Sequence, residues 1–183
     1  AAIEEIQDLQ QILKEDSSNF QARRRLAILL LDNGFNEDAL KQLAFLIGIF
    51  PSDAILYYNL GIVYEKVKKL DAAAKSYEKA IELSPEETDF YYNLGLVYTD
   101  LGKHDEAIEV FNKVIELDPE DSNTYFNLGF CYMKKNDEDV AMNFFQKTLE
   151  FNGMDVFAHF YLGNIYYNKQ EIELAVKEYN KVI

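Results

Sequence analysis

The sequence contains few residues that interrupt regular structure. Its 183 residues include no tryptophan, one cysteine, three prolines and eight glycines. Because proline and glycine most often end helices and strands, their scarcity favours long regular elements. The single cysteine, Cys131, excludes an intramolecular disulfide and fits a reducing compartment.

Membrane and export signals are also missing from these residues. No apolar run reaches the ~20 residues of a transmembrane helix. The opening stretch AAIEEIQDLQ lacks the basic and apolar regions of a signal peptide. We therefore expect a cytoplasmic protein. Since the chain starts without Met and stops at YNKVI, we expect it to be part of a longer one, in which a targeting signal could lie elsewhere.

Positively charged residues are also few. Lys and Arg total 18 against 32 Asp and Glu, which gives a formal net charge of −14. Such a surface repels the phosphates of nucleic acids and of anionic membranes. The one basic run, ARRRLA at residues 22–27, is expected to be solvated or paired with the acidic first helix. We expect protein or peptide partners, no nucleic acid and no membrane insertion.

Four similar octapeptides occur at equal intervals along the chain. YYNLGIVY begins at Tyr57, YYNLGLVY at Tyr91, YFNLGFCY at Tyr125 and HFYLGNIY at His159. A fixed period of about 34 residues indicates a repeat architecture. The predicted repeats are 20–53, 54–87, 88–121, 122–155 and an incomplete 156–183, and residues 1–19 match the second half of a preceding unit.

We predict two antiparallel helices in each repeat. The apolar residues of a repeat recur at helical spacing in two segments, and a short polar stretch separates the segments. Counting from the first residue of each repeat, position 8 is glycine in four repeats, although glycine costs a helix about 1 kcal/mol. Its recurrence predicts the close approach of another helix. Position 20 is alanine in all five repeats, which predicts a second tight crossing. These residues are Gly61, Gly95, Gly129, Gly163 and Ala39, Ala73, Ala107, Ala141, Ala175.

With these residues the chain resembles the tetratricopeptide repeat (TPR) family, whose pattern is W-x2-L-G-x2-Y, then A-x3-F, then P. Tyrosine or histidine stands at the tryptophan position in four repeats, and Pro51, Pro85 and Pro119 stand at the proline position. The resemblance covers nearly the whole chain and is weakest in the first repeat, where Arg23 and Ala27 replace the aromatic residue and the glycine. It implies an all-α, right-handed TPR solenoid of about five repeats plus a preceding half-repeat.

Nothing in the sequence forms a catalytic or metal-binding constellation, so we expect neither an enzyme nor a cofactor. We interpret His104 as an exposed turn residue, His159 as a packing residue and Cys131 as a buried, inert thiol. The stretch DNGFNED at residues 32–38 looks like a calcium loop, but its glycine is misplaced and Leu43 stands at the twelfth position. We predict a helix–helix turn with Gly34 as a left-handed cap.

The resemblance also implies a peptide-binding groove, because TPR arrays are similar to curved ribbons with their first helices on the concave face. Groove positions 5, 6 and 9 here form a row of aromatic residues, a ladder of asparagines and a row of mostly aliphatic residues. An asparagine amide can pair with a peptide backbone of any sequence. The predicted groove residues are Tyr58, Asn59, Ile62, Tyr92, Asn93, Leu96, Phe126, Asn127, Phe130, Phe160 and Asn164.

Other interpretations of these residues stay open. The asparagines could serve helix packing, and the aromatic row could be covered by a second copy of the chain or by a terminal helix. The lysines that bind acidic chaperone tails in some TPR proteins are absent, which favours an apolar peptide or amphipathic helix as ligand. The leading hypothesis is an interaction scaffold; the alternatives are a homo-oligomeric assembly scaffold and the docking or regulatory arm of a larger enzyme.

Overall fold

A computed structural model describes all residues 1–183 as eleven α-helices without a β-strand. In chain order they are α1 (Ala2–Glu15), α2 (Phe20–Asp32), α3 (Asn36–Ile49), α4 (Ala54–Lys66), α5 (Leu70–Leu83), α6 (Thr88–Asp100), α7 (His104–Leu117), α8 (Ser122–Lys134), α9 (Glu138–Phe151), α10 (Val156–Asn168) and α11 (Ile172–Asn180). The predicted all-α array of helix pairs is confirmed. None of the helices combines the length and apolar character needed to cross a membrane.

The helices belong to two compact units, Ala1–Phe90 and Tyr91–Ile183. In the first unit, α1 packs on α2, and α2/α3 and α4/α5 form helix pairs. In the second, α8/α9 and α10/α11 form helix pairs, α8 also packs on α7, and α10 also packs on α9. The core of each unit therefore consists of side chains between neighbouring helices.

Side-chain caps define where most first helices of the pairs begin. Asn19, Asp53, Asp121 and Asp155 occupy the same place relative to the repeats, and each accepts a hydrogen bond from a backbone N–H in the first turn of the helix that follows. An acceptor at this position satisfies one of the donors that a helix start leaves unpaired.

A repeated turn joins the two helices of each pair. Residues 34, 68, 102, 136 and 170 have φ values between +62° and +81°. The next residue donates its N–H to a carbonyl five residues back, as Phe35 does to Leu30 (2.9 Å) and Lys69 to Tyr64 (2.9 Å). This is the Schellman motif that ends many helices. The left-handed cap predicted at Gly34 is confirmed.

Lys68 occupies this left-handed position at a steric cost that glycine avoids. We expect Lys68→Gly to raise the free energy of unfolding by about 0.5–1 kcal/mol, since relief of strain outweighs the extra freedom of the unfolded chain. Asn136→Gly should gain less, because asparagine tolerates this conformation. Urea denaturation of both variants measures the change in the free energy of unfolding. A loss of stability in Lys68→Gly would contradict a left-handed conformation at residue 68.

The packing inside each pair explains the position-8 glycines. A Cβ atom placed on Gly61, Gly129 or Gly163 would approach within 2.5–2.8 Å of an aromatic ring from the second helix, and one on Gly95 would come closer still. The rings belong to Tyr77, Phe111, Phe145 and Tyr179, at position 24. The close approach predicted from the glycines is therefore that of a ring. The position-20 alanines are at most 1% exposed.

Candidate functional site

A cluster of aromatic side chains lies on α8 and α10 in the second unit. The Phe126 ring centroid lies 5.8 Å from that of Tyr161 and 6.3 Å from that of Phe157. Tyr161 also contacts Phe130 at 6.3 Å and Phe160 at 5.5 Å. We call these five residues, Phe126, Phe130, Phe157, Phe160 and Tyr161, the aromatic surface. Aromatic pairs at these separations attract one another and hold their rings in place.

The aromatic surface is partly open to solvent. Phe157 is 67% exposed and Phe160 is 43% exposed, while Phe126, Phe130 and Tyr161 are half-buried. Helix α10, with the sequence VFAHFYLGNIYYN, contains no Lys, Arg, Asp or Glu. A helix that lacks a charged face is normally buried by its neighbours. Such a surface is a candidate for contact with another molecule.

The rings also stabilise their own repeats. The side chain at position 5 contacts the ring that covers the glycine, as Phe126 does with Phe145 (5.5 Å) and Phe160 with Tyr179 (6.3 Å). In the first unit Tyr58 contacts Tyr77 at 5.7 Å and Phe90 at 5.0 Å. The aromatic row therefore contributes one edge of each ring to the core.

Two of the predicted groove amides already have partners within the second unit. The Asn127 side-chain N–H donates to the Tyr92 hydroxyl oxygen at 3.3 Å. The Tyr179 hydroxyl donates to the Asn164 side-chain oxygen at 2.6 Å. Burial raises the pKa of Tyr92, so its hydroxyl stays protonated at neutral pH. Asn127 therefore links neighbouring repeats, and Asn164 links the two helices of its own repeat.

The remaining predicted groove residues lie on the same helices as expected from their positions. Asn93 and Leu96 are half-buried on α6, and Tyr92 contacts Phe111 at 6.1 Å. Asn59 and Ile62 are half-buried on α4 in the first unit. Their part in binding remains a prediction.

Sequence reasoning overlooked two members of the aromatic surface, Phe157 and Tyr161. Phe157 stands at position 2, one of the groove positions, so the repeat frame contained the signal. Tyr161 stands at position 6, where three earlier repeats have asparagine, so it lies outside both the asparagine ladder and the aromatic row at position 5.

The single thiol is enclosed in the second unit. Cys131 is fully buried, and its sulfur lies 3.6 Å from the Thr99 hydroxyl. Burial raises the pKa of the thiol, which lowers the fraction of reactive thiolate. The predicted burial is confirmed.

The two histidines have different surroundings. His104 begins α7 and is half-buried rather than exposed as predicted. His159 is 5% exposed, and its Nε2 lies 3.0 Å from the Gly153 carbonyl oxygen, so Nε2 carries a proton that it donates. Its Nδ1 lies 2.6 Å from a Glu178 carboxylate oxygen. His159 is therefore buried, as its predicted packing role requires, and it also forms two hydrogen bonds.

Family profiles match most of the chain. A profile described as TPR repeat matches residues 67–102 and 95–136, and one described as tetratricopeptide repeat matches residues 122–153 and 158–183. No curated protein sequence matches the chain.

Solved structures of similar fold include MamA proteins and YrrB. The crystal structure of a MamA protein is 32% identical, with 81% of each chain covered and a TM-score of 0.76. YrrB, described as a TPR protein with an unusual peptide-binding site, is 25% identical, with 96% of this chain and 90% of its own covered and a TM-score of 0.81. MamA from Desulfovibrio magneticus RS-1, at 22% identity, has a TM-score of 0.85 over 90% of this chain and 93% of its own, which shows the shared fold.

Proposed function

Because this chain belongs to the tetratricopeptide repeat family, whose folds serve protein interaction, we propose that it binds an apolar segment of a partner protein through the exposed faces of its first helices. The observation that carries the proposal is the aromatic surface on α8 and α10, where Phe157 is 67% exposed on a helix without a charged residue. Large, rigid rings of this kind dominate the binding energy of protein interfaces.

The chemistry of the surface favours a partner that brings apolar side chains. Asn127 and Asn164 are already hydrogen-bonded within the chain. A ligand would therefore gain more from contacts with the rings than from these two amides. YrrB, a TPR protein with a peptide-binding site, supports a peptide or helix as ligand. The proposal includes Tyr58, Asn59 and Ile62 on α4 and Tyr92, Asn93 and Leu96 on α6 as further binding residues.

The proposal extends to the location of the protein and to its lack of catalytic activity. We propose a cytoplasmic binding scaffold without its own catalytic activity, and the buried, reduced Cys131 fits such a compartment. Self-association is the competing use of an exposed aromatic surface. Light scattering over a range of protein concentrations separates the two, because only self-association makes the mass rise with concentration.

Substitutions within the aromatic surface test the proposal. We expect the double variant Phe157→Ser, Phe160→Ser to lose the proteins that the unchanged chain captures from a native lysate, with affinity for a captured partner falling at least tenfold, since two interface rings are removed. Phe157 is 67% exposed, and Phe160 gives up only its ring contacts with Tyr161 and Tyr179, so circular dichroism should show that the variant keeps its helices.

A control variant removes two exposed apolar side chains elsewhere in the second unit. Ile172 and Val176 are each 51% exposed on α11. The variant Ile172→Ser, Val176→Ser should keep the captured partner. If both double variants capture the same proteins with the same affinity, the aromatic surface is not the binding site.

A further inference from the structure

Two residues near the start of the chain, one in the preceding half-repeat and one in the first repeat, differ in type from the residues at the matching places of the later repeats. Position 4 is Arg23, where the later repeats have a tyrosine or histidine. Lys14 stands at the place where three later repeats have a glutamate that is salt-bridged to a lysine three residues earlier. The residues that match Arg23 in the later repeats are Tyr57, Tyr91, Tyr125 and His159. Those that match Lys14 are Glu82, Glu116 and Glu150. Two cations therefore replace a ring and an acid.

Both cations line one cleft in the first unit. The cleft has a volume of about 450 Å³ and lies among α1, α2 and α3. Leu13 and Leu26 contribute apolar carbon, and Gln10 and Gln42 contribute amides. The later repeats have larger or acidic groups at several of the matching places, for example Tyr125 stacked on Phe144 at 6.5 Å. The cleft thus lies where the half-repeat and the first repeat depart from the later repeats.

The Arg23 guanidinium is held in a fixed position. One terminal nitrogen donates to the Gln42 side-chain oxygen at 2.7 Å, and the other donates to the Ser17 carbonyl oxygen at 3.1 Å. Its carbon lies 3.9 Å from the centre of the Phe45 ring. The bond to Ser17, six residues back, corresponds to the bond from Tyr125 to the Pro119 carbonyl. Since the side chain is already ordered, a ligand would lose little entropy in fixing it.

Neither cation has an acidic partner in its unit. Arg24 pairs with Asp53 at 2.7 Å and Arg25 with Glu5 at 2.8 Å, which leaves Arg23 as the arginine of the run without a salt bridge. Of the five N–H donors of Arg23, Gln42 and Ser17 use two and the Nε–H is buried, which leaves two on the terminal nitrogens. Two cations without an acidic partner therefore line one cleft of a chain whose net charge is −14, and an anionic group from another molecule could pair with them.

We propose that this cleft binds a carboxylate of a partner polypeptide that has an aliphatic side chain next to it. Lys14 and Arg23 hold the carboxylate, Leu13 contacts the aliphatic group, and Gln10 and Gln42 bond to the peptide groups. A singly charged carboxylate suits the cleft better than a phosphate, because the acidic chain repels an ion of higher charge more strongly. The cleft lies among α1, α2 and α3 of the first unit and shares no residue with the aromatic surface, which lies on α8 and α10 of the second unit.

Small peptides test this site by NMR titration of the whole chain. The probes are acetyl-Leu-Leu with a free terminal carboxylate, acetyl-Leu-Glu-amide with a side-chain carboxylate, and the neutral acetyl-Leu-Gln-amide. We expect saturable shifts of backbone amides around residues 10–42 with at least one carboxylate peptide. The neutral peptide should bind at least tenfold more weakly, since a charge-assisted pair is lost. The better carboxylate peptide identifies which source the cleft accepts.

Two variants install the residues of the later repeats. Arg23→Tyr and Lys14→Glu should each abolish the shifts, whereas Lys41→Glu, the same charge change at an exposed site on α3, should preserve them. Lys14 is exposed, so its variant keeps the test valid if Arg23→Tyr does not fold. Equal binding of the neutral peptide, equal shifts with inorganic phosphate, or full binding by Lys14→Glu would overturn the proposal.

Discussion

Gly61→Ala is expected to lower the free energy of unfolding by about 2 kcal/mol, although alanine is the better helix former. The new Cβ would lie 2.5 Å from the Tyr77 ring. That ring is fully buried, its hydroxyl donates to the Glu65 carboxylate, and Tyr58 packs on it at 5.7 Å. Because the ring is held on several sides, α4 and α5 must separate to admit the methyl group.

Gly48→Ala provides the matched control in the same unit. Gly48 lies in α3, and a Cβ added there meets nothing within 4 Å. The same substitution should therefore raise stability by about 0.5 kcal/mol, the propensity gain near a helix end. Urea denaturation at equal protein concentration measures both. Effects of the same sign would contradict the claim that ring contact, and not helix propensity, explains the position-8 glycines.

His159→Leu is expected to destabilise the chain by about 3 kcal/mol, since it removes both hydrogen bonds of a buried ring. The Gly153 carbonyl would lose its donor, and the Glu178 carboxylate, only 14% exposed, would face an apolar group. Thermal and urea unfolding of the variant give the size of the loss.

The preceding repeat suggests a double variant that restores this loss. There the matching residues are Tyr125, whose hydroxyl donates to the Pro119 carbonyl at 2.7 Å, and Phe144, which stacks on its ring. His159→Tyr with Glu178→Phe rebuilds that pair and should come within about 1 kcal/mol of the original stability. Each single change should cost more than the double. A double variant as unstable as His159→Leu would show that the two places are not equivalent.

The repeated architecture could be predicted from the sequence, because the residues that pack the helices of one repeat recur at a fixed spacing. The glycines indicated a close approach, and Gly34 indicated a left-handed turn. The same turn at Lys68 and Gln170 was not predicted, because neither residue type favours positive φ. Only the repeat period connects these positions with Gly34.

The candidate site was predicted less completely, because the position of a residue in the repeat does not determine its hydrogen bonds. Asn164 stands at a groove position, yet it accepts a bond from Tyr179 of the neighbouring helix. Phe157 was overlooked, although it is the most exposed member of the aromatic surface. Arg23 was seen as a departure from the repeat pattern, but its unpaired state depends on which acids lie near it in the fold.

Photo-crosslinking from the aromatic surface tests the account most directly. Phe157, on α10, is replaced by benzoylphenylalanine in one sample and Ile172, on α11, in another; both side chains are more than half exposed. Our account predicts an adduct with a partner protein from residue 157, none from residue 172, and loss of the adduct when Phe160→Ser is added. An adduct from residue 172 alone, or equal adducts from both, would contradict it.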